Sequence, residues 1–241
     1  MKHLIGGLGI SSSKTTSNKK PNIGMIIVII VVIILFIVLL NFLRTRIKFK
    51  GKKNKLLLEE LHDSKKKKLI SKGIIPEQGE GNEYNINFWL FLSDYIYRKD
   101  SEKIILYRGK NTFNCNPAIL LLKDTNDMKL TFALQSNNSD VVDESCGLTD
   151  CSLIDSFIVE KVPLQKWVSV NISVNNNIVD VYFNGELTKS YELKGFPIKS
   201  NGNMYLTEEG GFNGFISKLE YSNYCLSNEE ILIRYSSGYK N

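Results

Sequence analysis

A stretch of alternating apolar and polar residues, Lys166–Leu193, most constrains what this 241-residue chain can fold into. Apolar side chains recur at every second position over Val168–Val174 and again over Val179–Phe183. The Asn184-Gly185 pair that follows favours a two-residue hairpin, because both central residues of a type I′ turn need positive φ. Three antiparallel strands with one apolar face must lay that face on a second sheet. The sequence therefore predicts an all-β sandwich.

Further apolar or alternating runs predict the other strands of the sandwich. They are Tyr84–Leu92, Lys103–Gly109, Ala118–Lys123, Lys129–Gln135, Phe157–Val162, Met204–Thr207 and Gly214–Tyr221. Ser227 and Glu230 stand three positions apart as a capping box, which predicts a short C-terminal helix. Glycine and proline punctuate residues 73–81, so the domain is predicted to occupy residues 81–241.

An uncharged, almost wholly aliphatic run at residues 23–43 predicts a single transmembrane α-helix. About 20 residues at about 1.5 Å each span a ~30 Å hydrocarbon core. A signal peptide is the rival interpretation, but Arg44 and Arg46 follow the run in place of a small-residue cleavage site. Residues 1–22 are predicted to form a flexible tail. Residues 44–80 are predicted to form a basic stalk, within which Lys55–Ile70 could make a short helix.

The net charge of +6 is segregated along the chain. Residues 1–80 hold 16 lysines and arginines against 5 acidic residues, whereas residues 81–241 hold 15 against 20. The basic residues flank the apolar run, so their expected partners are the lipid bilayer and its anionic headgroups, and nucleic acid is not expected.

Orientation across the membrane stays open. The positive-inside rule favours a cytosolic C-terminal domain, while glycosylation sequons at Asn137 and Asn171 and an even number of cysteines favour the exterior.

Five segments of the predicted domain carry a family resemblance. In chain order they read NFWLFL, ILYRG, VPLQKW, VDVYFNGEL and GGFNGFISKLEYSNYCLSNEEI. Over about residues 82–239 the chain resembles the laminin-G-like branch of the concanavalin A-like lectin-glucanase superfamily. That resemblance implies a two-sheet antiparallel jelly-roll sandwich. A membrane span ahead of such a domain is similar to proteins of large DNA viruses, which implies a virion membrane.

Catalysis is not expected of this domain. Both histidines, His3 and His62, lie outside residues 81–241, which removes Ser-His-Asp and Cys-His catalysis and His-bearing zinc sites. The related glycoside hydrolases place alternating carboxylates on one strand. In this chain the strand carboxylates stand singly, at Glu160, Asp180, Glu192 and Glu220.

The polar side of the meander is the candidate ligand-binding face, through Asn171, Asp180 and Tyr182. An amide, a carboxylate and an aromatic ring are groups that hold a sugar, although a solvated or second-layer sheet face is the commoner outcome. Trp89 and Trp167 are expected to pack in the core, because each adjoins a strongly apolar strand.

The acidic loop at residues 136–155 offers a candidate calcium site, because oxygen ligands on a loop suit that ion. Its ligands would be Asp140, Asp143, Glu144 and Asp150. No other cofactor is expected. A Cys146–Cys151 disulfide is favoured and a second, Cys115–Cys225, is possible, with four reduced thiols as the alternative.

These observations predict a membrane-anchored, non-catalytic binding or structural protein that docks to a protein or glycan, as a virion membrane protein would. A cell-surface carbohydrate-binding lectin is the alternative, and a degenerate glycoside hydrolase is the third.

Overall fold

The computed structural model describes residues 23–46, 51–79, 81–135 and 153–239. The chain divides into two compact units, residues 1–50 and 51–241. The first contains helix α1, Ile23–Arg46. Within the described part of the chain, no helix has the length and hydropathy that a membrane span requires. The span predicted at residues 23–43 therefore stays a prediction.

The second unit contains thirteen described strands and a C-terminal helix, α2, at Asn228–Ser236. The strands are β1 Asn54–Leu58, β2 His62–Asp63, β3 Lys68–Ile70, β4 Tyr84–Leu92, β5 Lys103–Gly109, β6 Cys115–Leu121, β7 Met128–Leu134, β8 Leu153–Val159, β9 Trp167–Asn175, β10 Ile178–Phe183, β11 Glu186–Glu192, β12 Met204–Leu206 and β13 Gly214–Ser222.

Two antiparallel sheets form the sandwich. The first sheet has the order β1-β13-β4-β9-β10-β11, with β2 also paired to β13, and the second has the order β3-β12-β5-β6-β7-β8. The alternating side chains Val168, Val170, Ile172 and Val174 of β9 are all buried between the sheets, together with partners such as Phe88 and Leu130. Each such side chain contributes about 1.5–3 kcal/mol when it leaves water. The predicted all-β, two-sheet antiparallel fold is confirmed.

The segment predicted as a stalk enters the sandwich instead. Asn54 lies opposite Ser222 on β13, and the short β3 pairs with β12. Leu57 and Leu58 are both buried although they are adjacent, because a register shift interrupts the pairing between Leu56 and Leu58. The helix predicted over Lys55–Ile70 was therefore wrong, and the sheets begin at Asn54, well before residue 81.

We name the two ends of the sandwich after the residues found there, as the Gly51 end and the Trp167 end. At the Gly51 end, the amide N–H of Lys53 donates to Asn223 Oδ1 at 2.7 Å, close to where β13 ends. At the Trp167 end, β9 begins, and Gly214 at the start of β13 lies opposite Leu92 at the end of β4. The strands run between these ends, so groups on their opposite termini lie far apart.

Helix α2 folds back over the outer face of the first sheet. The predicted capping box is present, with Ser227 and Glu230 each accepting from the other's backbone N–H. The Arg234 guanidinium pairs with Glu220 of β13 at 3.2 Å. The Trp89 ring of β4 stacks on Tyr235 with centroids 5.8 Å apart. The polar side of this sheet is therefore covered over part of its area.

Candidate binding site

The predicted ligand-binding residue Asn171 lies inside this covered layer. Its side chain is only 1% exposed. Asn85 Nδ2 donates to Asn171 Oδ1 at 2.7 Å, and Asn171 Nδ2 donates to Asn85 Oδ1 at 3.2 Å. These three observations leave no room for a ligand, so the prediction for Asn171 was wrong and the second-layer alternative describes it correctly.

The other two predicted residues, Asp180 and Tyr182, are half-buried on β10. The Tyr182 hydroxyl donates to Asn228 Oδ1, in the first turn of α2, at 3.4 Å. Burial, together with the neighbouring Asp180 carboxylate, raises the pKa of Tyr182. Tyr182 therefore contacts the helix, and neither of the two clefts described below is lined by Asn171, Asp180 or Tyr182.

The sequon at Asn171 is equally excluded as a glycan site in the folded state, because its amide nitrogen is buried and hydrogen-bonded. The second sequon, at Asn137, lies outside the described residues, as do the calcium candidates Asp140, Asp143, Glu144 and Asp150 and the predicted disulfide Cys146–Cys151.

The predicted Cys115–Cys225 disulfide is not formed, and both thiols are free. The Cys115 thiol donates to the Thr112 carbonyl at 3.1 Å, and the Cys225 thiol donates to the Val174 carbonyl at 2.9 Å. Burial raises the pKa of Cys115 to about 12. Each thiol thus donates its hydrogen bond to a backbone carbonyl and is not paired with the other cysteine.

The structure reveals a different candidate, a row of aromatic rings toward the Trp167 end of the first sheet. Phe215 of β13 lies directly opposite Phe91 of β4, and Phe91 lies directly opposite Trp167 of β9. Directly paired residues of neighbouring strands project to the same face, so the rings line up. Tyr239 continues the row from the C-terminal segment. We call these four residues the aromatic ladder.

The rings of the aromatic ladder touch in sequence. Centroids are 6.3 Å apart between Phe215 and Phe91 and 5.5 Å apart between Phe91 and Trp167. Tyr239 stacks on Trp167 at 4.5 Å with an interplanar angle of 15°. Ser217 Oγ donates to the Tyr239 carbonyl at 2.9 Å, which holds the last ring on the sheet. The ladder is therefore a continuous and fixed surface.

A cleft of about 590 Å³ opens over the aromatic ladder. Glu59, Leu61 and Ser217 complete its lining, and Leu61 is 58% exposed. Phe215 is 37% exposed, although it belongs to a central strand of the sheet. Contiguous exposed aromatic and aliphatic groups of this kind mark interaction sites.

Gly214 fixes the close approach of β13 and β4 beneath the aromatic ladder. A Cβ atom at this position would lie 1.9 Å from the Phe91 carbonyl oxygen. Any side chain there would push β13 away from β4 and separate Phe215 from Phe91. A glycine at the start of β13 is thus what permits the first two rings to pair.

The chemistry that the cleft offers is stacking and hydrogen bonding. Aromatic faces bind apolar faces of a ligand, and the carboxylate of Glu59 can accept hydrogen bonds from hydroxyl groups. Among the described residues, no group of three His, Cys, Asp or Glu side chains could hold a metal ion. The cleft is therefore suited to recognising a ligand that has both an apolar face and hydroxyl groups.

Aromatic residues at outward-facing strand positions were a sequence signal for this site, and the predicted ligand-binding face did not include them. Trp89 is buried, as predicted, but Trp167 lines the cleft. Phe91 and Trp167 both occupy outward-facing positions of their strands, which in a solvated sheet would carry polar residues. Outward aromatic residues at three strand termini were thus the signal, but only strand register shows that they meet.

Comparison with known proteins places the chain within one family. Residues 77–232 match the model described as the concanavalin A-like lectin/glucanases superfamily. None of the curated proteins compared with the chain matches it.

Solved structures of the same fold include receptor-binding domains of botulinum neurotoxins. The C/D mosaic domain is 15% identical to this chain with a TM-score of 0.54, and the match covers 78% of this chain and 47% of the toxin domain. The serotype D domain in complex with N-acetylneuraminic acid is 16% identical with a TM-score of 0.55, again covering 78% of this chain and 47% of its own. This chain thus spans about half the length of these toxin domains, and the likeness is one of fold.

Proposed function

Because the chain belongs to the concanavalin A-like lectin/glucanases superfamily, we propose that it is a non-catalytic binding protein whose ligand is a glycan. The aromatic ladder is the observation that carries this proposal. Its rings lie in register across neighbouring strands and form a platform on which pyranose rings stack with their apolar faces. The cleft over the platform is large enough for a short oligosaccharide.

The polar groups of the cleft also suit a sugar. Glu59 supplies a carboxylate at the rim of the platform, where it can accept hydrogen bonds from vicinal hydroxyl groups. One structural neighbour was solved in complex with N-acetylneuraminic acid, which agrees with this class of ligand.

The same lining argues against glycoside hydrolysis. Retaining and inverting glycosidases both need two carboxyl groups that flank the scissile bond. Glu59 is the single acidic residue among the described residues that line the cleft. Farther along β13, outside the cleft lining, the Glu220 carboxylate forms an ion pair with Arg234 and accepts a hydrogen bond from the Asn54 amide. The degenerate glycosidase therefore ranks below a binding protein.

A protein ligand is the second candidate. Leu61 and Phe215 together expose aliphatic and aromatic surface beside the cleft, which suits the apolar centre of a protein interface. Competition with free sugar separates the two candidates. Binding that free sugar abolishes favours a glycan ligand, and binding that free sugar leaves unchanged favours a protein ligand.

We also propose that α1 attaches the chain to a membrane as a single-pass anchor. The described side chains of α1, Ile27–Val38, are all apolar and all exposed to solvent. A helix that is hydrophobic all round needs an apolar environment. The virion location and the orientation of the domain stay predictions from the sequence.

A glycan array probed with the purified chain tests the proposed function. The wild-type chain should bind a restricted set of glycans, and Phe91→Ala should weaken that binding by about tenfold, because one stacking contact contributes about 1 kcal/mol or more. Phe196→Ala is the matched control, since Phe196 is 52% exposed and lies outside the cleft. Equal losses in both variants, or turnover of any bound polysaccharide, would contradict the proposal.

A further inference from the structure

A second cavity, of about 400 Å³, lies at the Gly51 end of the sandwich. Three lysines line it, Lys72, Lys110 and Lys199, and none of the described residues that line it is acidic. The remaining lining is mixed, with three asparagine side chains and backbone beside the apolar groups of Ile198 and Tyr205. The cavity lies on the second sheet, away from the aromatic ladder, and the proposed function makes no use of it.

The floor of this lysine-lined cavity is rigid. A Cβ atom on Gly202 would lie 3.0 Å from Gly109 Cα, so the two backbones pack directly on each other. Behind them lies Arg108, which is 2% exposed, with Nε donating to the Gly202 carbonyl at 3.5 Å and its guanidinium 4.8 Å from the Tyr221 ring centroid. A fixed positive charge therefore stands behind the floor and adds to the field of the lysines.

An exposed aromatic side chain projects beside the same cavity. Phe113 is 68% exposed and lies between two cavity-lining residues, Lys110 and Asn114. Asn111 Oδ1 accepts from the N–H groups of Phe113 and Asn114 at 2.9 and 2.7 Å, and the Lys110 N–H donates to the Asn114 carbonyl at 3.0 Å. The turn is thus closed by its own hydrogen bonds and holds Phe113 outward.

Chain connectivity singles out this end of the sandwich. Asn223 Nδ2 donates to the carbonyls of Gly51 and Glu77 at 3.4 and 3.1 Å, and Lys199 Nζ donates to the Gly79 carbonyl at 3.0 Å. The first residues of the sandwich and the cavity are therefore neighbours. In the sequence, only residues 47–50 separate the end of α1 from Gly51.

A second lysine-rich run of the predicted basic stalk, residues 65–68, lies elsewhere on the sandwich. The Ser64 N–H donates to the Gly214 carbonyl at 3.1 Å, which places the start of the run at the Trp167 end. Lys66 pairs there with Asp63 at 3.6 Å, and Lys65 lies over the Tyr97 ring. That run is therefore on the opposite end of the sandwich from Gly51.

We propose that the Gly51 end docks on a membrane surface, with Lys72, Lys110 and Lys199 holding the phosphate groups of anionic lipids and Phe113 entering the interface. Ammonium groups around a cavity suit phosphate oxygens, and lysines beside an exposed aromatic ring are the composition of membrane-interface anchors. This docking does not rest on the proposed glycan binding, which uses residues toward the other end.

The test uses residues 51–241, because both sheets and the whole main core lie within them and α1 is absent. Co-sedimentation is measured with phosphatidylcholine vesicles that contain or lack phosphatidylserine. Binding should require phosphatidylserine and should fall as salt is raised. The combined variant Lys72→Gln, Lys110→Gln and Lys199→Gln should weaken vesicle binding about 100-fold, because each lysine contributes about fivefold and the three factors multiply. Phe113→Ser should weaken it without changing its dependence on salt.

The matched control removes three lysines elsewhere, through Lys65→Gln, Lys66→Gln and Lys67→Gln. These residues are exposed, so the fold should persist, and binding should change by less than about twofold because they lie toward the Trp167 end, where salt screens their charge from the docked surface. Equal weakening by the two triple variants, or equal binding to vesicles without phosphatidylserine, would overturn the proposal. Saturable binding of inorganic phosphate with no vesicle binding would also overturn it, because the cavity would then be a site for soluble phosphate.

Discussion

Removing the buried amide of Asn171 should destabilise the sandwich without touching the binding cleft. In Asn171→Ala, Asn85 loses a partner for both its amide nitrogen and its oxygen, and Asn87 Oδ1 loses a donor at 3.5 Å. Asn85 and Asn87 are themselves 0% and 2% exposed, so water cannot replace these bonds. A buried polar group left unpaired costs about 1–3 kcal/mol, so the variant should lose about 3 kcal/mol in free energy of unfolding.

Urea unfolding followed by fluorescence measures this loss. With a slope near 3 kcal/mol per molar urea, the midpoint should fall by about 1 M at unchanged slope. Asn177→Ala is the matched control, because its amide bonds the Glu192 carboxylate at an exposed position and its loss should cost less than about 0.5 kcal/mol. A change in Asn171→Ala no larger than in the control, accompanied by lost glycan binding, would refute the structural role and restore Asn171 as a ligand contact.

Three further predictions follow from buried groups. Cys115 and Cys225 should both be alkylated after unfolding without reductant, and a linked peptide pair would contradict the free thiols. Burial lowers the pKa of His62 below its ordinary value of 6.5, so the folded state disfavours the imidazolium. The stability that neutral His62 contributes should therefore be fully present above pH 6.5 and be lost as the pH falls through the lower pKa of the folded state. In thermal melts, His62→Gln should make the melting temperature less dependent on pH in this range. Arg234→Met removes the ion pair of the half-buried Glu220 carboxylate, which keeps only the Asn54 amide as a partner, so denaturant titration should show a loss of about 1–2 kcal/mol.

Local patterns were sufficient to predict the central meander. Alternation in β9 and β10 is followed by Asn184 and Gly185, whose φ angles of 53° and 81° are both positive, as the hairpin signal requires. The capping box at Ser227 was equally readable, because it depends only on residues three positions apart. In both cases the chemistry that decides the structure lies within a few residues.

The parts that were mispredicted depend on partners far along the chain. Residues 55–61 suit a helix locally, and only pairing with β13 makes Asn54–Leu58 a strand. Asn171 looks like a surface residue until α2 folds over the sheet and Asn85 becomes its partner. The aromatic ladder likewise joins residues from three strands and the C-terminus, so its existence depends on register that no local pattern specifies.

Tryptophan fluorescence tests the central claim, that the aromatic ladder is the ligand site. The chain holds two tryptophans, of which Trp89 is buried against Tyr235 and Trp167 lines the cleft. A glycan selected on the array is titrated into Trp89→Phe, which reports on Trp167 alone, and into Trp167→Phe, which reports on Trp89 alone. The account predicts a saturable change in the emission of Trp89→Phe and a weak or absent response in Trp167→Phe. Saturable binding that leaves the emission of Trp167 unchanged would contradict it, because the glycan would then be held elsewhere on the sandwich.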